Sequence, residues 1–208
     1  MNLSTEERDE LITGIKRGFE DVTHFGKFLD AFIQSVRYRA QHPIDVVDVM
    51  LKDIAGDIGS PYLHDVLSID RIPSLRRTWD DWAKRNRVRG QTISNLTAVC
   101  VEIHLQTGKY FAKGQGTNDL KRRKDGSRWE IKGNRGKKFR LTINQSHKGI
   151  DETFFVVYCG KPELNELNGI FVLEGRDGYF TPRKPGLNLR SVMKEYLDKA
   201  IQIFPQYH

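Results

Sequence analysis

The sequence predicts an α/β protein in which a helical region, residues 1–90, precedes a sheet-bearing core, residues 91–208. Three observations carry that reading. Apolar residues recur at helical spacing through the first ninety positions. An Asp-Gly pair at 125–126 suits a tight turn between two short segments that can pair as a hairpin. Phe154-Phe155-Val156-Val157-Tyr158-Cys159 is a short run of the β-branched and aromatic residues that fill buried strands. With 208 residues, 38% of them hydrophobic, the chain can bury a substantial core, as one large domain or as a core with an appended helical subdomain.

The elements follow in order. Ser4 and Glu7 make a capping box ahead of Leu11, Ile12, Ile15, Phe19 and Val22 at helical spacing. A second stripe, from Phe25 to Val36, stops before Pro43, which opens a third helix carrying Val46, Val47, Met50, Leu51 and Ile54 and ending near Gly56 or Gly59. Such stripes belong to packing or to a dimer interface. Residues 73–89 interleave Arg76, Arg77, Lys84, Arg85, Arg87 and Arg89 with Trp79 and Trp82, so that phosphate contact competes with inward packing of the indoles, and Gly90 breaks the pattern. Thr92 then caps a helix running to about Gln106, with Ile93, Leu96, Val99, Cys100 and Ile103 inward, although residues 99–105 also alternate like a strand. After the hairpin, residues 137–145 pass from a basic loop into a short helix near Thr142. Residues 169–175 and 178–181 suggest a further hairpin, and residues 191–204 an amphipathic helix. Cys100 and Cys159 both lie in apolar segments, as buried free thiols do, and neither has a second Cys or a His at zinc-ligand spacing.

The hairpin carries the chemistry. A two-residue type I′ turn at Asp125-Gly126 sets Arg122 opposite Trp129, Lys121 opposite Glu130, Leu120 opposite Ile131 and Asp119 opposite Lys132. Paired residues share a face, so Asp119, Glu130 and Lys132 project together while Leu120, Trp129 and Ile131 form an apolar back. Two carboxylates suit a hard cation such as Mg²⁺, which keeps positions open for water and a phosphate oxygen. A neighbouring lysine can orient the attacking water and offset charge growing on the phosphoryl group.

Asn118-Asp119 followed by Glu130-Ile131-Lys132 resembles the PD-(D/E)XK nuclease superfamily, with Asn where the family usually has Pro. The resemblance extends over about residues 92–175. It implies a restriction-endonuclease-like core, a mixed central β-sheet flanked by helices, in which a helix precedes three strands, the motif sits on the second and third, and a helix and strand follow. It also implies Mg²⁺-dependent cleavage of DNA, with Asp119, Glu130 and the Ile131 carbonyl on the metal and Lys132 positioning the nucleophile. In this family an acidic residue of the first core helix often joins the metal, which makes Glu102 a further candidate ligand.

The charge distribution agrees with a polyanionic partner. The chain carries 34 Lys+Arg against 27 Asp+Glu, a net charge of +7, and a pI near 9.4. From Lys109 to Arg140 there are twelve basic residues and three acidic ones, two of the three being Asp119 and Glu130. Lys121, Arg122, Arg123, Lys124, Arg135, Lys137 and Lys138 are thus candidate phosphate contacts, and Asn144, Gln145 and His147 candidate contacts to base edges or supports of the metal site. His147 as general base of a different nuclease class would need a second His or Asn at suitable spacing, and none stands there.

These readings converge on an Mg²⁺-dependent, site-specific endonuclease acting on double-stranded DNA, compact enough for a type II restriction enzyme and dimeric if it cuts a palindrome. A repair or junction-resolving nuclease of the same fold and a non-catalytic DNA-binding protein are the alternatives. No apolar run approaches the ~20 residues of a membrane span, and residues 1–7 have neither the basic start nor the apolar stretch of a signal peptide, so a cytoplasmic protein is expected.

Overall fold

The computed structural model describes residues 2–38, 88–114 and 118–205. The expected helix after Pro43 and most of the basic, Trp-bearing segment lie outside these residues.

Helix α1 (Thr5–Tyr38) opens on the expected capping box: the Ser4 N–H donates to Glu7 Oε2 at 2.8 Å and the Glu7 N–H to Ser4 Oγ at 3.3 Å. The two apolar stripes lie on this one continuous helix. Helix α2 (Val88–Gln106) starts ahead of Thr92 and runs through Gly90, so neither residue marks its beginning. Strands β1 (Phe111–Lys113), β2 (Leu120–Arg122) and β3 (Arg128–Asn134) follow, then β4 (Thr142–Asn144), β5 (Thr153–Lys161), β6 (Glu166–Glu174), β7 (Leu189–Ser191) and β8 (Ile201–Phe204). Six strands form one mixed sheet in the order β1-β2-β3-β5-β6-β8, antiparallel at β1·β2, β2·β3 and β6·β8 and parallel at β3·β5, while β4 and β7 make a separate antiparallel pair.

Three expected elements are replaced. The crossover from β3 to the parallel β5 carries strand β4 instead of a helix near Thr142, because Thr142 and Ile143 find a partner strand in β7. Residues 178–181 do not fold back on β6; a 3-10 turn spans Asp177–Tyr179, and Phe180 bridges Val192. Residues 191–204 are not a helix. They hold the end of β7, a 3-10 segment (Lys194–Lys199) and β8, whose pairing with β6 outweighs the local helical period.

The chain divides into two compact units. Residues 1–16, 104–161 and 167–208 form one, and residues 17–103 with 162–166 form the other. In the first, the start of α1 is tied to the sheet by carboxylates: Glu10 accepts from the N–H groups of Lys109, Tyr110 and Phe111, and buried Glu7 pairs with Arg122 at 2.6 Å. In the second, α1 and α2 approach closely where Gly18 faces Val101. Among the described residues no helix is long and apolar enough to cross a membrane, and both cysteines are buried free thiols.

In the first unit each face of β3 is apolar in part. On one, Trp129 meets Phe111 edge-on with centroids 5.3 Å apart and stacks on Phe154 at 4.8 Å. On the other, Phe155 and Val157 of β5, in register with Glu130 and Lys132, join Leu141, Ile143, Leu173 and Phe180 in a buried cluster beneath the β4·β7 pair. On the polar face of the hairpin Glu130 is buried, whereas Asp119, Lys121 and Lys132 are partly exposed.

Candidate active site

The hairpin forms with a different turn from the expected one. Its loop has four residues, 123–126, closed by the Gly126 N–H donating to the Arg122 carbonyl at 2.9 Å and the Arg122 N–H to the Ser127 carbonyl at 3.0 Å. Only Gly126, at φ 73°, takes the left-handed conformation. Asp125 instead spends its carboxylate locally, accepting from the Ser127 N–H and hydroxyl and from Arg122. The register therefore slips by two residues: Leu120 lies opposite Trp129 and Lys121 opposite Arg128. A slip of two preserves the facing of every side chain, since strands alternate with period two. Asp119 therefore still shares a face with Glu130 and Lys132, but its level is that of Glu130 rather than Lys132.

Asp119 lies just where β2 leaves the ladder. Its Oδ2 accepts the Ile131 N–H at 2.7 Å, standing in for a backbone acceptor, while its own carbonyl receives Gln106 Nε2 and the Gly114 N–H, both at 3.1 Å. Burial, and next the charge of Glu130, push its pKa up from 3.8 to about 6, against the lowering effects of the Ile131 N–H and Lys132. Glu130 is 5% exposed; its Oε1 accepts from Lys132 Nζ at 2.6 Å, and its Oε2 is buried with no hydrogen-bond partner. Lys132 is a third exposed and opens the cluster to solvent. N–H and C=O of one residue point to the same edge of a strand, so the Ile131 carbonyl is directed towards the Asp119 side of β3.

Two carboxylates, one with an unsatisfied oxygen, and an adjacent carbonyl make a partial oxygen donor set of the type Mg²⁺ accepts when water and substrate complete it. Among the described residues no group of three or more His, Cys, Asp or Glu side chains is placed to hold a metal ion. Glu102 lies on α2 in the other compact unit.

The remaining candidates fall into three environments. Arg122 is buried and committed within the chain: its guanidinium bonds to both oxygens of Glu7, to Asp125 Oδ2 and to the Asn2 carbonyl. Asn144 caps its own turn, accepting from the Ser146 N–H and hydroxyl, and Gln145 donates to the Lys184 carbonyl. Arg123, Lys124, Arg135, Lys137 and Lys138 are exposed, Lys121 partly so, and Arg123 also donates to the Phe111 carbonyl. His147 packs its ring 5.6 Å from Phe155, with Nε2 buried and unpartnered. Burial holds its pKa down, opposed by the charge of Glu130 and reinforced by Lys132 and Arg190.

Two features escape sequence reasoning. A groove of about 660 Å³ opens where β3 ends, lined by Asn134, Lys137, Lys138, Arg140, Ser191 and Lys194 among others and by no acidic residue. Lys194 is 54 residues beyond Arg140 in the chain, so no local pattern joins them. The second is Arg190 of β7, which the expected helix of residues 191–204 left outside any element. It is 4% exposed and pairs with Asp177 through Nη1, while its Nε and Nη2 are buried without partners. No protein-family model matches the chain, and none of the curated proteins searched matches it.

Proposed function

We propose that this chain is a metal-dependent deoxyribonuclease of the PD-(D/E)XK type, cutting double-stranded DNA at specific sites as a homodimeric type II restriction endonuclease does. The observation that carries the reading is the Asp119–Glu130–Lys132 cluster on neighbouring strands, with Glu130 buried and one of its carboxylate oxygens left unsatisfied. A buried, unpaired carboxylate oxygen is costly, and a bound cation would satisfy it. Two further features support the reading. A helix precedes β1, β2 and β3, as the family resemblance implies, and the next strand of the sheet is parallel to β3, although the crossover to it carries strand β4 where the resemblance implies a helix. The acid-free groove begins at Asn134, two residues past Lys132 on the same face of β3, and so about 7 Å along the strand.

In this reading Asp119, Glu130 and the Ile131 carbonyl would hold Mg²⁺, which when bound would supply a Lewis acid for the phosphoryl oxygen and lower the pKa of water. Lys132 orients the attacking water and offsets charge on the phosphoryl group. The Glu130 contact keeps the Lys132 ammonium in place, and the Ile131 N–H fixes the Asp119 carboxylate. Water adds to phosphorus as the bond to the leaving deoxyribose oxygen breaks, and the proton lost by the water passes to solvent. Lys137, Lys138, Arg140 and Lys194 bind the backbone of the strand beside the cut.

The test is incubation of the protein and its Asp119→Ala variant with unmodified phage DNA, in Mg²⁺ or EDTA. Discrete Mg²⁺-dependent fragments that fall at least about a hundredfold in the variant are expected. Intact DNA throughout, with duplex affinity unchanged by EDTA, would replace the nuclease with a non-catalytic DNA-binding protein.

A further inference from the structure

The side chain of Arg190 poses a problem that the fold alone does not solve. In the antiparallel pair β4·β7 it stands directly opposite Ile143, and directly paired residues project to one face. Ile143 belongs to the buried cluster with Phe155 and Val157, the residues in register with Glu130 and Lys132. Arg190 therefore leaves its strand on the side of that buried cluster, over the strand next to the one that carries Glu130 and Lys132, while its neighbour Leu189 is 60% exposed. His147, whose ring lies against Phe155, feels the charges of Glu130, Lys132 and Arg190 together, so the three belong to one neighbourhood.

The way the guanidinium is held is specific. Asp177 tethers it at Nη1, leaving the Nε and Nη2 edge without a partner and out of reach of solvent. That edge is one of the paired-donor forks that grip carboxylate or phosphate in two parallel hydrogen bonds. An arginine serving only to support the fold would bring its donors to carbonyls or carboxylates, as Arg122 does with Glu7, Asp125 and Asn2. Burying a charged fork with nothing in it is unfavourable, and an occupant bearing negative oxygens relieves that cost. Glu130 Oε2 and His147 Nε2, also buried and unpartnered, border the same neighbourhood.

Building on the nuclease reading, we propose that Arg190 is a catalytic residue, whose Nε–Nη2 fork takes the non-bridging oxygens of the scissile phosphodiester. Arginine and carboxylates then have separate duties: Asp119 and Glu130 would hold the metal, and Arg190 takes the phosphoryl oxygens as negative charge accumulates on them. Asp177, on the 3-10 turn Asp177–Tyr179, is the positioning residue that aims the fork. No covalent bond forms to either side chain.

Steady-state cleavage of a duplex that the wild type cuts provides the test, with Arg190→Lys and Asp177→Asn compared after each is shown folded by circular dichroism. Lysine keeps the charge but loses the fork. The proposal expects kcat to fall about 10²–10³-fold in Arg190→Lys with KM within about fivefold, and about tenfold in Asp177→Asn. Arg190→Lys retaining kcat within threefold overturns it, leaving the nuclease reading intact. Should Arg190→Lys fail to fold, unchanged kcat in Asp177→Asn overturns it, since Asp177 is 62% exposed and its substitution leaves the core alone. Absence of any Mg²⁺-dependent cleavage by the wild type removes the nuclease reading and this proposal with it.

Discussion

Asp119 is the residue on which the electrostatics of the site turn. Its carboxyl is buried beside Glu130, so its pKa rises from 3.8 to about 6, the Ile131 N–H offsetting only part of the effect. Below pH 4 the group is protonated whether the chain is folded or not, and between pH 4 and 6 the folded state binds the proton more tightly. Stability contributed by the neutral carboxyl is therefore lost as pH rises through 6, by at most ~3 kcal/mol. Asp119→Asn keeps a carbonyl acceptor for Ile131 and removes the charge. In EDTA, urea denaturation should find the variant more stable than the wild type by about 1–3 kcal/mol at pH 7.5, with the gap closing by pH 4. An equal difference at both pH values would show that Asp119 does not titrate in this way. Glu7 is the opposite case: the Arg122 guanidinium beside it holds its carboxyl below the ordinary range, so its stabilisation is present at neutral pH and lost on acidification.

Elements here are defined by their partners as much as by their own sequence. Apolar spacing and the capping box made the start of α1 legible, because both signals are local, whereas its continuation through the second stripe as one helix was not. The facing of the hairpin was legible too, although its turn and register were not, since alternation survives any slip by an even number of residues. The tail of the chain was illegible for the converse reason: Tyr196, Leu197, Ala200 and Ile201 repeat at helical spacing, yet β6 offers residues 201–204 a strand edge that no local pattern announces. Close approach of α1 and α2 gives a test at this scale. A Cβ on Gly18 would lie 2.5 Å from Val101 Cγ2 and 2.9 Å from the Val101 backbone nitrogen. Alanine gains up to about 1 kcal/mol of helix propensity, whereas overpacking costs roughly 1–3 kcal/mol. Gly18→Ala should thus lower the melting temperature, and an unchanged or raised value would mean that the two helices can separate at little cost.

For the molecule as a whole, the net charge of +7 matters less than where the cations are spent. Arg122 is consumed by the fold, whereas Lys137, Lys138, Arg140 and Lys194 line one groove and have no ion-pair partner among the described residues. If the groove takes a phosphate backbone, Lys137→Glu and Lys194→Glu should each weaken duplex binding and reduce the slope of log affinity against log salt by about 1. Fluorescence anisotropy in Ca²⁺ between 50 and 200 mM salt, about the range over which such contacts are lost, measures both. A slope the same as the wild type's in both variants would remove the groove from the DNA path.

The amino-acid sequence by itself determined the α/β class, the capped first helix, the buried thiols and the common face of Asp119, Glu130 and Lys132, because each depends on period, turn chemistry or spacing within a few residues. Only the tertiary structure decided that Asp119 stands level with Glu130, that Arg122 is a core cation, and that Arg190 and Lys194 lie in one fold with residues some fifty positions earlier. Those outcomes depend on which strand edges and which buried charges meet, and the free energy of such meetings is set by partners distant along the chain.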